Sequence, residues 1–279
     1  MSHPTTAAAD VLEGRWRPRL VALDIDGTLV DPANRISPAV QTAVARAVAA
    51  GAHVVLSTGR GLIGTRGLAE ELELERPYLV CSNGAVTVRL HPDTGPEVLD
   101  VVTFDARPVL ELLMKRLPDA LVAVEEIGVG YRVNAPFPQG EISGEIRVVP
   151  PEELVPGPVT RVILREASND VDQLLDAIDR IGLHEVAYYI GTTAWLDLAP
   201  DGVSKATGLE KVTERLGVDR ADVLAIGDGA NDIDMLRWAG RGVAMGNAVS
   251  AVQAAADAVT ATQSEDGVAI ELDRWFGCS

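Results

Sequence analysis

Leu20-Val21-Ala22-Leu23-Asp24-Ile25-Asp26-Gly27-Thr28 decides how the rest of the chain is read: four apolar residues run straight into two carboxylates and a glycine. A short apolar run bounded by turn-forming residues suits a strand buried on both faces, and therefore a parallel sheet. In an extended chain residues two apart point to the same side, so Asp24 and Asp26 can face one ligand as the strand ends, while Ile25 points away. Ligands of open α/β sheets gather outside the carboxyl ends of the strands. Two carboxylates there repel each other unless a cation lies nearby, and Mg²⁺, with its preference for hard oxygen ligands, matches the pair. Asp-Gly alone is just as well a turn or a helix cap, so the surrounding sequence carries the decision.

On the C-terminal side, Ser37-Pro38 has the pattern of an N-cap followed by a first-turn proline, and residues 39–50 read as a helix closed by Gly51. A second buried strand follows at 53–56, a helix at 62–73 and a third strand at 78–81. This alternation predicts an α/β fold with a parallel, Rossmann-like sheet and helices on its faces. From about Ala85 the pattern changes. Strand-like runs at 86–90, 98–104, 121–124, 130–133, 159–164, 185–190 and 194–198, with helices at 108–117 and 170–181, suggest an α+β layer. The stretch between Pro150 and Pro158 reads as a loop within that layer. Beyond Pro200 the α/β signature returns with a helix at 205–216, a strand at 223–226 and a helix opened by Gly227-Asp228-Gly229-Ala230-Asn231-Asp232. The expected organisation is a discontinuous core, 18–85 and 196–279, interrupted by an insert at 86–195 and preceded by a flexible leader, 1–17.

Composition narrows the function without choosing it. The 279 residues are 47% hydrophobic and 23% charged, an ordinary globular balance. A formal charge of -17 leaves no general basic field to attract DNA or RNA, although a local cationic pocket for one phosphate is compatible with it. Cys81 and Cys278 stand far apart with no metal-type spacing, which fits a reducing cytoplasm and neither a zinc site nor a disulfide framework. No segment reaches membrane-spanning length without charge or glycine. A monomer is the default expectation, since no heptad pattern or large apolar stripe stands out.

Three further stretches place polar groups at strand ends. Ser57-Thr58-Gly59-Arg60 sets a hydroxyl and backbone N–H groups at a turn entering a helix, where a phosphate can be held. Asp228 and Asp232 lie four apart across a glycine-rich turn, so the first can reach a cation while the second supports it from behind. Lys205 opens the helix after the insert, and Asn83 lies at the third strand end, where Asn-Gly is also an ordinary turn.

Taken in order, Asp24-Ile25-Asp26-Gly27-Thr28, Thr58, Lys205, and Gly227-Asp228 through Asn231-Asp232 closely resemble the four motifs of the haloacid dehalogenase superfamily. Ser82-Asn83-Gly84-Ala85, the insert, and Ser264-Glu265-Asp266-Gly267-Val268-Ala269 resemble its Cof-type branch with a large subclass IIB cap. The resemblance, spanning residues 20–272, implies a Rossmann-like core that carries the chemistry and a cap that chooses the substrate. By motif position Asp24 would attack phosphorus and Asp26 would serve as acid and base. Thr58, Gly59, Lys205, Asn231 and Asn83 would bind the phosphoryl group. Mg²⁺ would be held by Asp24, the backbone carbonyl of Asp26, and Asp228, with Asp232 supporting from behind. The implied activity is hydrolysis of a small phosphorylated metabolite, a sugar phosphate or phosphorylated cofactor, through an aspartyl-phosphate. Two alternatives are a phosphomutase and a module that binds a phosphometabolite without turning it over.

Other polar and aromatic residues receive plainer readings. His53, His91 and His184 have no metal-pair spacing, and Trp195, Trp238 and Trp275 read as packing residues. Arg66 and Arg132 are cations that an anionic substrate could meet.

Overall fold

The computed structural model describes residues 16–166, 186–190 and 195–277. The expected helix at 170–181, His184 and Cys278 lie outside these residues. Two sheets organise the rest. The larger contains β1 (Leu20–Leu23), β2 (His53–Ser57), β3 (Tyr78–Cys81), β4 (Val86–His91) and β5 (Gly95–Val101). The smaller contains β6 (Leu121–Glu126), β7 (Gly130–Val133), β8 (Glu145–Val148), β9 (Val162–Arg165), β10 (Val186–Ile190) and β11 (Trp195–Pro200). The chain then returns to the larger sheet with β12 (Val223–Gly227), β13 (Arg241–Ala244) and β14 (Ala258–Val259), giving the order β14-β13-β12-β1-β2-β3-β4-β5.

β1 lies between β12 and β2 and pairs in parallel with both, which puts Asp24 at the centre of the sheet's carboxyl edge. The apolar run is buried on both faces, as its sequence requires. Val21 and Leu23 join Val54, Leu56, Leu224 and Ile226 in one core, whereas Leu20 and Ala22 join Val55, Val223 and Ala225 in the other. Helices α1 (Pro38–Ala49) and α2 (Leu62–Glu71) cover the first face. Helices α4 (Lys205–Leu216) and α5 (Ile233–Trp238) cover the second, and α6 (Gly267–Phe276) returns to the first. The Ser37 side chain accepts from the Val40 N–H at 3.2 Å, the N-cap that its sequence announced.

Sheet membership shifts both expected boundaries of the insert. β4 pairs antiparallel with β3 and β5 with β4, which extends the larger sheet, so the sheet changes after Val101 instead of at Val86. β11 pairs with β9 and β10, so the larger sheet resumes after Pro200 instead of at 196. The physical reason is plain. Alternating strand patterns state that a strand exists and which face is buried, and not which sheet edge it joins. Trp16, within the expected leader, stacks edge-on against Trp275 at 4.7 Å and donates to the Ala221 carbonyl at 2.8 Å.

The smaller sheet, in the order β10-β11-β9-β6-β7-β8, presents two faces. Val122, Val124, Val162, Leu164, Leu196 and Leu198 pack against α3 (Arg107–Arg116) through Val109, Leu110 and Leu113. The alternate residues turn the other way, toward the carboxyl edge of the larger sheet. The Pro-rich loop holds a single helical turn, Pro151–Leu154. No helix among the described residues is long and apolar enough to cross a membrane.

Candidate active site

A cleft of about 1230 Å³ opens between the two sheets, and Asp24, Asp26, Gly59, Asp228 and Asn231 all line it. Lys205, Thr58, Asn83 and Asp232 are essentially buried, just beneath its floor. Strand ends and helix starts bring these residues together from four separate stretches. Ser204 and Thr207 form a capping box that fixes the first turn of α4 and with it Lys205.

Lys205 is fully buried, and its Nζ donates to Asp24 Oδ1 and to Asp232 Oδ1, both at 2.5 Å. The other oxygen of Asp232 accepts from the backbone N–H groups of Asp228 and Gly229 at 2.9 and 2.8 Å. Asp232 thus accepts from three protein donors and is fully buried, whereas Asp24 and Asp228 line the cleft. Asp228 is steadied by the Thr28 hydroxyl at 3.0 Å and by Asn247 Nδ2 at 3.2 Å. Two glycines make this packing possible. A Cβ on Gly27 would collide with the Asp228 carboxylate, and one on Gly227 with that of Asp232.

Electrostatically the cluster is overloaded with negative charge. Burial, together with Asp232, pushes the Asp24 carboxyl well above the usual range, against the pull of Lys205. Burial and Asp232 also push Asp228 up to about 6. Burial opposes the charge of Lys205, but Asp232 and Asp24 outweigh it and its net shift is upward. Three carboxylates whose ligand atoms lie within 4.8 Å share one ammonium. Hard oxygen donors carrying surplus charge are the donor set that suits a divalent cation such as Mg²⁺.

Asp26 stands apart from this cluster. Its side chain is 63% exposed and is gripped by Arg60, whose Nε reaches Oδ2 at 2.9 Å and whose Nη2 reaches Oδ1 at 2.6 Å. Arg60 Nη1 also donates to Asn34 at 2.8 Å. The backbone N–H of Arg60 donates to Thr58 Oγ1 at 3.0 Å, which leaves the hydroxyl proton of Thr58 to seek another acceptor. Asn231 Nδ2 donates to Asn83 Oδ1 at 2.9 Å, while Asn83 Nδ2 is buried without a partner among the described residues. Ser82 and Asn83 both occupy the left-handed region, with φ of 51° and 54°. Such backbone costs about 1–3 kcal/mol per residue. It is held here by the Ser82 N–H on the Arg60 carbonyl and the Asn83 N–H on the Thr58 carbonyl.

Arg60, Thr28 and Asn247 are contacts that motif reading missed. Arg60 directly follows Gly59 and Thr28 follows Gly27, so adjacency was a usable signal for both, while Asn247 offered none. Arg66 and Arg132 stay out of the cluster, because Arg66 pairs with Glu70 at 2.7 Å and Arg132 with Glu126 at 2.9 Å. Trp195 does line the cleft, edge-on to Phe137. Trp275 packs beneath Arg241. Cys81 is a free, buried thiol, pushed up to about 12 by burial.

The chain belongs to the haloacid dehalogenase-like hydrolase family, whose pattern matches residues 21–272. Within that family it is an enzyme of the phosphatase type. It is 31% identical over 272 residues to the 5-amino-6-(5-phospho-D-ribitylamino)uracil phosphatase YcsE of Bacillus subtilis strain 168, covering 92% of this chain and 95% of that one. It is 32% identical over 269 residues to the pyridoxal phosphate phosphatase YbhA of Escherichia coli K12, covering 90% and 96%. The solved structure of BT4131, a subclass IIB sugar phosphatase, superposes with a TM-score of 0.78 at 24% identity over 92% of this chain and 98% of that one. The smaller sheet lies largely within the insert, the stretch where the resemblance implies a cap.

Proposed function

We propose that this protein hydrolyses a small phosphate monoester, a sugar phosphate or phosphorylated cofactor, in a Mg²⁺-dependent reaction through an aspartyl-phosphate on Asp24. The observation that carries this reading is the buried Asp24, held by Lys205 beside Asp228 at the carboxyl edge of β1 and open to the cleft. Mg²⁺ would be held by Asp24, the backbone carbonyl of Asp26, and Asp228, and it would supply positive charge against the phosphoryl oxygens.

The protein groups divide the remaining work. Lys205 holds Asp24 in one orientation and offsets the charge of the entering phosphoryl group. Thr58, the Gly59 backbone, Asn231 and the unpartnered Nδ2 of Asn83 provide donors for phosphoryl oxygens. An Asp24 oxygen forms a bond to phosphorus as the bond to the ester oxygen breaks, and the departing oxygen takes a proton from Asp26. Water then attacks phosphorus and gives a proton to Asp26 as the bond to Asp24 breaks, releasing phosphate and restoring both carboxyl groups. Arg60, which holds both oxygens of Asp26, aims that carboxyl at the cleft and has to free one oxygen for each proton transfer.

Phosphate release from a panel of sugar phosphates, nucleotides and phosphorylated cofactors, with Mg²⁺ or chelator, tests the reading. Turnover should require the metal and should fall by about a thousandfold or more in Asp24→Asn. Retained turnover in that variant would remove Asp24 as the nucleophile.

A further inference from the structure

The wall of the cleft that faces the carboxylate cluster comes from the cap, and its charge is one-sided. Strand alternation delivers Glu125, Tyr131, Arg161 and Asp197 to this wall, flanked by Glu126 and Glu141. Arg161 is the one cation among the described cap residues that line the cleft, and its charge is already spent. Its Nε and Nη2 donate to the two oxygens of Asp197 at 2.7 and 2.9 Å, and Nη1 donates to the Tyr131 hydroxyl at 3.0 Å. Glu126 and Glu141 are balanced by arginines set back from the cleft: Arg132 and Arg147 for the first, and Arg165 at 2.8 Å for the second.

Glu125 differs from these. It is 8% exposed and has no ion-pair partner among the described residues. Its Oε2 accepts from the Ser82 hydroxyl at 2.6 Å and from the Thr160 hydroxyl at 2.9 Å, which ties the cap to the end of β3. Its Oε1 accepts no hydrogen bond among the described residues and borders Gly61, where an added Cβ would collide with it. A shielded carboxylate with an open acceptor, beside a guanidinium that is already paired, offers a partner to a donor and none to an anion.

We propose that this wall selects phosphate esters whose leaving group is uncharged or cationic and carries hydroxyl or amine donors, with Glu125 accepting from it, and that it disfavours esters bearing a second anionic group. The proposal rests on the phosphatase reading above and narrows its substrate class. The phosphate itself is received on the opposite side of the cleft, by Lys205 and the donors around Asp24, so one anion is accommodated and a second meets the acidic wall.

Sorbitol 6-phosphate and 6-phosphogluconate share an open six-carbon chain and differ only in a terminal hydroxyl or carboxylate away from the ester, and glucosamine 6-phosphate brings an ammonium on a sugar ring. The expected kcat/KM for 6-phosphogluconate is lower than for either of the others by about tenfold or more. Glu125→Gln keeps the shape and removes the charge, and it should close that gap by about threefold or more, with glucosamine 6-phosphate losing most. Equal turnover of all three by the unsubstituted enzyme, or an unchanged gap in Glu125→Gln, overturns the proposal. p-Nitrophenyl phosphate separates the two levels of the argument. Its hydrolysis without discrimination among the sugars removes the selective wall and leaves the phosphatase intact, while no hydrolysis of any of the four esters removes both. If Glu125→Gln does not fold, the ratio measured on the unsubstituted enzyme decides.

Discussion

Two buried cations, Lys205 beneath the floor of the cleft and Arg161 in its wall, have surroundings that are balanced differently. In the core, Lys205 serves both Asp24 and Asp232, with Asp228 in the same cluster. In the cap, Arg161 meets one carboxylate, Asp197, in a two-pronged pair whose side chains are 7% and 12% exposed. The cap pair closes on itself, and Tyr131 takes up the remaining Arg161 nitrogen. The core cluster does not close, for it carries more carboxylates than its lysine can answer. A balanced buried pair holds a sheet together, whereas an unbalanced one stores a demand for positive charge that a metal ion can meet.

The sharpest way to break that contrast is to remove each cation. Lys205→Met strands Asp24 and Asp232 in the interior and should cost about 3–5 kcal/mol of folding stability, read by chemical denaturation. A loss below about 1 kcal/mol would mean that the carboxylates do not rely on Lys205 for their charge balance. Arg161→Met should cost about 3 kcal/mol by itself, and the double change Arg161→Met/Asp197→Leu should recover most of it, because Asp197 is then no longer left as the unpaired half of a buried ion pair. The corresponding core pair, Lys205→Met/Asp232→Leu, should recover little, since Asp24 and Asp228 are still present. Equal recovery in both regions would erase the distinction.

Metal addition probes the same imbalance on a smaller scale. Mg²⁺ at about a hundred times its dissociation constant should stabilise the protein by about 2.7 kcal/mol, or about 5–10 °C in Tm. Asp228→Asn should lose most of that shift in a thermal scan, and an undiminished shift would place the ion elsewhere. The smallest stability effect belongs to Arg60→Ala, because its partner Asp26 is well exposed: the change should be within about 1 kcal/mol. Its kcat should nonetheless fall by about tenfold or more as Asp26 loses its aim. A drop in Tm without a drop in kcat would make Arg60 merely structural.

Local sequence carried much of the core site. Apolar Leu20 to Leu23 ending in Asp24 placed a carboxylate at a strand end, Ser37-Pro38 announced a helix start, and Asp228 and Asp232 sat astride a glycine-rich turn that the structure confirms as a close approach. The cap wall was less legible. Glu125, Arg161 and Asp197 come from three neighbourhoods of the chain, and within each one a charged residue in a strand pattern looks like any solvated one. Only the alternation of Val122, Val124, Leu196 and Leu198 onto the helix-covered face shows which way the intervening residues turn. The assignment of β4 and β5 to the larger sheet was equally hidden, since antiparallel pairing leaves the same period in the sequence whichever edge is extended.

The sequence by itself determined a parallel α/β core, the carboxylates at its strand ends and the interruption by a second sheet, because buried strands, caps and glycine turns are written in residues close together along the chain. Tertiary structure alone decided that Lys205 is shared between Asp24 and Asp232, that Arg60 holds Asp26, and that an acidic wall faces them. Those facts depend on pairings between residues 27 to 181 positions apart, and charge balance is a property of what packing brings together.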